Sequence, residues 1–516
     1  MIHGITLPLP TPAWTRALLA PALVFIATAI DRNYQTDLWH HLARGRELVE
    51  RGRLVDTDLF TYTVPGKPFQ DTNWLSQFVF YWLYDRGGLN LVQLVNSLTL
   101  AAMMGVLVWL CWRSSRSLLL SAAVGAGTFF GLWQLLIIRP QTFSLLLFAV
   151  LYSVLELAER RRWLLLAAPC IMALWVNLHG GYPVGLVLIG ACFLAAVVEG
   201  WWLHGRGVLH DGRAWAQACC LAASFLATLA NPYGWRVYQY VGLTSAAASA
   251  RRIDEWVPPS LDQLTGKVFV LSVLLLLVLL ALPGRRPRIR DVCLTVCFLP
   301  AACGSVRMVA WWLLVIAPIA AGLLAANLPR RLLAQDELER PSVAAAGSLA
   351  IILLAIGLSV PGGERFSPLW STVRSAHRTE DDLEQVCDRL MAENGGHILS
   401  RFEWSEYLGW RLAPRYTVFM DGRIEIFPDS IWAEYAALTR GRADWQEILD
   451  RYHVDYMLLD KTGYHAQLLP QVARSPSWQA VFEAGDSVLF VRRRQFSDAS
   501  QQLPGPTLLR SVAQQD

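Results

Sequence analysis

Apolar stretches long enough to cross a bilayer recur from one end of this chain to the other, and nothing else in the sequence constrains its fold as strongly. A helix rising ~1.5 Å per residue needs about 20 apolar residues to span hydrocarbon. The 516 residues hold about eleven such stretches, near 13–30, 89–112, 118–136, 143–158, 163–178, 182–203, 215–231, 267–283, 291–306, 309–327 and 343–361. Only 17% of the residues are charged, against about 25% in soluble domains. The expected fold class is an α-helical polytopic membrane protein. The first stretch, AWTRALLAPALVFIATAI, ends in Ala-Thr-Ala, but prolines rather than positive charge precede it. It reads as a retained helix and not as a removed signal.

The connections between these stretches alternate in charge. One set carries Arg113 and Arg116, Arg160 to Arg162, Arg206 and Arg213, Arg285 to Arg290, and Arg330, Arg331 and Arg340. The short connections of the other set carry little more than Arg139 and Arg307. Positive loops stay in the cytoplasm. The N-terminus is then expected inside, the 31–88 loop outside, and, with an odd number of spans, everything after 361 outside as well. The expected location is the cytoplasmic (inner) membrane, with a multi-pass topology.

After position 361 the composition changes. GHILSRFEWSEYLGWRLAPRYTVFMDGRIEIF reads as strand, helix, strand. ADWQEILDRYHVDYMLLDK reads as a helix feeding a strand, and WQAVFEAGDSVLFVRR as a hairpin turning at Gly485–Asp486. The expected organisation is a membrane domain over 1–361, a small extracytoplasmic α/β domain over 362–495 and a flexible tail over 496–516. Of nine cysteines, eight lie in or beside apolar stretches and Cys387 stands alone. No disulfide framework and no zinc or iron–sulfur spacing follows from them. The net charge of +4 gives no reason to invoke nucleic acid.

The 31–88 loop is the most polar segment near the membrane. Leu38, Leu42 and Val49 recur at helical spacing, as do Trp74, Leu75, Phe78, Val79, Trp82 and Leu83. Two interfacial helices are predicted, separated by a turn at Pro65-Gly66. Anchoring explains the tryptophans. It does not explain Asp37, His40 and His41, because ionisable groups beside hydrocarbon are costly and tend to be functional. At the same predicted face lie Arg139, Asn177, His179, Arg251, Arg252, Asp254, Glu255 and Arg307. Singly, each reads as a snorkelling charge or a helix cap. Together they suggest an anion site, to which arginine is suited because its planar fork binds phosphate through two hydrogen bonds.

An Asp just after the first span, followed by paired interfacial helices, resembles the GT-C membrane glycosyltransferases, which include the protein O-mannosyltransferases and the lipid A aminoarabinose transferase. DLWHHLARG, DTDLFTYT, DTNWLSQ, NLHGGYPVG, NPYG, DEWVPP and FMDGR resemble, more closely, a bacterial family of multi-spanning GT-C-like proteins. The resemblance covers nearly the whole chain. It implies transfer of a sugar from a polyprenyl-phosphate-linked donor to a glycan, lipid or protein acceptor at the outer face of the membrane. By position it assigns the carboxylate base to Asp37, with Asp31 as the alternative; the O-mannosyltransferases carry an Asp-Glu pair where this chain has Asp37-Leu38. His41 or His40 would support that acid, and Arg139, His179, Arg251, Arg252, Glu255 and Arg307 would surround the substrate. Some GT-C enzymes use a divalent cation, so Mg or Mn is admitted, although no motif demands it. Asp421-Gly422-Arg423 reads equally well as a structural turn and receives no catalytic role. Two other readings stay open: a transporter of lipid-linked substrate, against which no internal repeat is visible, and a non-catalytic assembly partner in cell-envelope polysaccharide synthesis.

Overall fold

The computed structural model describes residues 11–31, 36–205, 211–251, 253–284, 286–329, 333, 342–362 and 379–493. The chain divides into two compact units. One comprises Met1–Thr57 with Pro68–Ala376, and the other Asp58–Lys67 with His377–Asp516.

The first unit is helical. Its elements are α1 (Pro12–Ile30), α2 (Thr36–Arg51), α3 (Trp74–Ser115), α4 (Leu118–Leu132), α5 (Gln141–Ala158), α6 (Ala167–Leu178), α7 (Pro183–His204), α8 (Gly212–Ala227), α9 (Arg236–Ala250), α10 (Leu264–Ala281), α11 (Ile289–Gly304), α12 (Val306–Asn327) and α13 (Val343–Ser359). Each of the eleven predicted spans coincides with one of these or, for the second, with the part of α3 after its break at Gly87 and Gly88. Among the described residues, six helices are long and apolar enough to cross a membrane, and three further apolar helices are shorter. The helix α9 is additional to the predicted spans. The core centres on α12, which is buried almost continuously from Val309 to Ala321, and on Leu100, Met103, Met104 and Leu107 of α3. By contrast α10 and α13 leave Leu271, Leu274, Leu277, Ile351 and Leu354 exposed, the inverted pattern expected of helices that face lipid.

One of the two predicted interfacial helices shows part of the same inversion. In the first turns of α3, Ser76, Gln77, Phe80 and Leu83 are buried, while Phe78 and Trp82 of the apolar stripe point outward. The packing face thus combines Ser76 and Gln77 with Phe80 and Leu83, and Phe78 and Trp82 of the stripe remain free for the membrane. In α2, Leu38 and Leu42 are buried as the spacing suggested and Val49 is exposed. Arg44, on the polar part of the wheel, is also buried. It pairs with Asp71 at 3.3 Å and lies over the Phe69 ring.

The second unit is an α/β domain. Its strands are β1 (Gly396–Leu399), β2 (Tyr416–Val418), β3 (Tyr456–Asp460), β4 (Trp478–Ala484) and β5 (Ser487–Arg492), in the order β2-β1-β3-β5-β4. The β1 strand pairs parallel with β2 and β3, whereas β5 runs antiparallel between β3 and β4. The strand–helix–strand unit and the hairpin at Gly485 stand where the pattern places them. Unexpected is the segment Asp58–Lys67, which the sequence reading leaves in the loop of the membrane domain. Thr61 bridges to Val418 in parallel, Thr63 Oγ1 donates to the Phe419 carbonyl (2.6 Å), and the Tyr62 ring stacks on His397. Pro65-Gly66 forms the tip: the Lys67 amide donates to the Val64 carbonyl (3.1 Å) and Gly66 takes φ 68°, a conformation glycine adopts without steric cost. The tail 496–516 lies outside the described residues.

Candidate functional site

Within the first unit, five elements bring their ends together. Arg139 precedes α5, and its guanidinium reaches Glu255 at 2.6 Å and Asp37, in the first turn of α2, at 3.6 Å. Glu255 lies in the short turn of helix before α10 and also meets Arg307, at the start of α12, at 3.4 Å. Arg307 Nη2 lies 3.3 Å from Nε2 of His179, the residue that ends α6. Four of the residues expected at one face therefore form a connected cluster with Asp37.

Exposure distinguishes the two acids. Glu255 is held between two guanidiniums, and Arg139 is only 8% exposed. The Asp37 side chain is 44% exposed and makes the longest of these ion pairs. Burial alone would raise the Glu255 carboxyl, but Arg139 and Arg307 overcome it and hold the group below its ordinary value. Burial would likewise lower Arg139, and Glu255 and Asp37 reverse that effect.

The histidines are buried bases. His179 is held well below its usual range by burial first, then by Arg307 and Arg139. Its Nδ1 accepts from the Gly181 amide (3.1 Å) and lies 2.8 Å from Ser144 Oγ, which itself accepts from Trp175 Nε1. A side chain on Gly181 would meet the imidazole ring at 2.8 Å. With Nδ1 accepting, a neutral ring carries its proton on Nε2, facing Arg307. That edge of the cluster presents donors only, so an anionic or hydroxyl oxygen complements it. His41 is buried behind Asp37. Burial pushes it down, Asp37 and Asp71 partly offset this, and Arg139 adds to the lowering. Gln77 Nε2 connects His41 Nδ1 (3.3 Å) to Asp71 (2.8 Å), so the Arg44–Asp71 pair fixes the ring from behind. His40 is partly exposed, with its ring centroid 5.5 Å from that of His41.

Arg251 donates to the Ala247 carbonyl at the end of α9 (3.4 Å). Arg252 lies outside the described residues. Asp31 ends α1, where Gln93 donates to its backbone carbonyl (3.1 Å), and burial raises its carboxyl. A divalent cation does not fit this set of donors. No group of three or more His, Cys, Asp or Glu side chains able to hold a metal occurs among the described residues, and both carboxylates of the cluster face guanidiniums. Asp71, Arg44, Gln77 and Ser144 were missed in the sequence; the polar residues of DTNWLSQ hinted only at Asp71 and Gln77.

No protein-family model matches the chain, and no curated protein sequence matches it significantly. Solved structures do. The chain is similar to the apo oligosaccharyltransferase of Archaeoglobus fulgidus, with a TM-score of 0.51 and 12% identity, over 91% of this chain and 74% of that one. It is also similar to ArnT from Cupriavidus metallidurans bound to undecaprenyl phosphate, with a TM-score of 0.50 and 14% identity, over 95% of this chain and 99% of that one. The chain has the GT-C fold of membrane glycosyltransferases, as its motifs implied.

Proposed function

We propose that the protein is a membrane glycosyltransferase that moves a sugar from a polyprenyl-phosphate-linked donor to a hydroxyl group of a glycan, lipid or protein acceptor at the outer face of the cytoplasmic membrane. The observation that carries this reading is the cluster of Arg139, Arg307 and His179 with an accessible Asp37. It combines donors for a phosphate with one carboxylate free to meet an acceptor.

In this reading the donor phosphate takes the donor-only edge between Arg307 and His179 and competes with Asp37 for Arg139. The long Arg139–Asp37 contact is the one that yields, and Asp37 then turns to the acceptor. The acceptor oxygen bonds to the anomeric carbon while the bond from that carbon to the phosphate oxygen breaks. Polyprenyl phosphate leaves with the electron pair, and Asp37 takes the hydroxyl proton. The charge growing on the leaving phosphate faces fixed guanidiniums in a poorly solvated setting, where such stabilisation is strongest. Phosphate is already a good leaving group, so no general acid is required. Glu255 keeps both arginines in place and His41 supports Asp37 from behind.

The test is transfer by the purified protein, reconstituted in lipid, from a set of polyprenyl-phosphate sugars to membrane-extracted acceptors. Transfer that depends on Asp37 and Arg139 sustains the reading. Tight binding of polyprenyl phosphate with no turnover on any donor would make the chain a binding or assembly protein instead.

A further inference from the structure

At the opposite end of the same helices lies a second polar cluster, with a cavity that the proposed transfer does not use. The α5 helix joins the two: it begins two residues after Arg139, and its eighteen residues, about 27 Å long, carry Glu156 in the last turn and are capped by Glu159. There a cavity of about 180 Å³, room for about six waters, is lined by Arg113, Arg116, Arg160, Arg286 and Arg288.

Three carboxylates share this lining, and all are engaged. Arg288 takes Asp291 (3.2 Å), Glu156 (3.5 Å) and Glu159 (3.7 Å), while the buried Arg290 takes Glu156 (2.9 Å) and Glu159 (2.7 Å). Arg113, Arg116, Arg160 and Arg286 make no ion pair among the described residues. The Arg113 Nε, shut off from solvent, has no hydrogen-bond partner among them either. Charges gathered around a cavity and left unmatched call for an anion. Two further features indicate its form. Arg113 and Arg116 lie over Trp109 and Trp112, rings of the kind that mark headgroup depth. The wall beneath is apolar, made by Pro318, Ile319 and Leu323 of α12.

We infer that this cavity binds a phosphate group, and that its arginines, beside tryptophans at headgroup depth, take the phosphate of an anionic phospholipid in the leaflet opposite the transfer site. A soluble phosphate ester shares the chemistry but makes no use of the position of these arginines beside the two tryptophans.

The experiment counts lipids kept by the full-length protein in detergent, by native mass spectrometry, after titration with phosphatidylglycerol or phosphatidylcholine. Arg116 and Arg286 are both exposed, so R116Q/R286Q leaves the packed core intact. Each basic residue near a headgroup is worth about fivefold, and the double variant should bind phosphatidylglycerol roughly 30-fold more weakly, with phosphatidylcholine unchanged. Competition by millimolar inorganic phosphate, absent in the variant, would assign the site to a soluble phosphate and still support it. Equal retention of both lipids, or a variant that binds like the wild type with no response to phosphate, overturns the inference. None of these readouts depends on transfer, so they stand or fall separately from the proposed function.

Discussion

Two clusters in this protein use the same chemistry to different ends. In the α/β domain, Arg423 is clasped by Asp421 and Asp58. Nε is 3.0 Å from Asp421, Nη2 reaches both acids, and all three side chains are almost completely buried. Asp58 also accepts from the Thr61 amide (3.0 Å) and hydroxyl (2.6 Å). That cluster is sealed, and its role is to hold the Asp58–Lys67 segment in the domain. In the membrane unit, Arg139 and His179 are also buried, but Glu255 and Arg307 are about a quarter exposed and Asp37 opens the cluster on one side. Ion pairing alone therefore says nothing about function. What separates a clasp from a site is one partner that solvent or substrate can reach.

The largest effect belongs to the sealed cluster. Arg423→Met leaves two buried carboxylates unpaired, and breaking such a group costs about 3–5 kcal/mol. The α/β domain should unfold at markedly lower denaturant in a tryptophan-fluorescence titration, and protease should cut within 58–67. A variant as stable as the wild type would mean that the clasp does not hold the segment.

Asp37→Asn should do the reverse. It removes the proposed base while keeping the side chain's size, so transfer should fall more than about a hundredfold, the equivalent of about 3 kcal/mol in the barrier. Thermal stability should hardly move, because Asp37 is half exposed and its ion pair is long. If the variant loses stability and keeps its rate, Asp37 is a structural partner of Arg139, and the distinction between the clusters fails. Asp31→Asn is the paired control and should transfer normally.

The third effect is a pH dependence of the α/β domain. His465 is fully buried, its Nδ1 accepts from the Asp460 amide (3.0 Å), and its Nε2 has no partner among the described residues. Burial, only partly offset by Asp460 and reinforced by Arg401, lowers it to about 4 from 6.5. The unfolded chain takes up a proton below about 6.5 and the folded one does not until about 4. Stability is therefore complete above about 6.5 and falls as the pH drops through that window. The loss between pH 7 and pH 5 should be about 2 kcal/mol. His465→Asn keeps an acceptor and removes the titration, so its denaturation midpoint should be flatter across the same range. An equal decline in both proteins would trace the pH sensitivity to other groups.

Much of this architecture was legible in the sequence because it follows from local pattern. Hydrophobic length marks the spans, short apolar runs bounded by turn residues mark β1, β3 and the hairpin, and the scarcity of charge at one set of loops singled out Arg139 and Arg307. The rest depends on contacts distant along the chain. Nothing near Asp58 shows that it will meet Arg423, and nothing in DTNWLSQ shows that Asp71 will meet Arg44. The apolar stripe of the first turns of α3 marks a helix correctly but is only in part its packing face, since in a membrane an apolar side chain can point outward. Arg290 reads as one charge in a cytoplasmic loop, yet it is buried against two glutamates, because α11 begins earlier than its apolar run.

The smallest effect tests whether burial, and not distance, separates these pairs. Arg51 Nε lies 2.5 Å from Glu47 one turn earlier on α2, as short as the Arg423–Asp421 contact, but the Arg51 side chain is 44% exposed. The spacing and order are favourable, with the acid N-terminal to the base and the base in the last turn of the helix. Water nevertheless screens the pair and offers both charges hydrogen bonds when it opens. Arg51→Gln should therefore cost about 0.5 kcal/mol or less, a shift in melting temperature near the limit of measurement, and high salt should erase even that. A loss several times larger, insensitive to salt, would show that this end of α2 is covered by something the exposed surface does not reveal, and the ranking of the three kinds of ion pair by exposure would have to be given up.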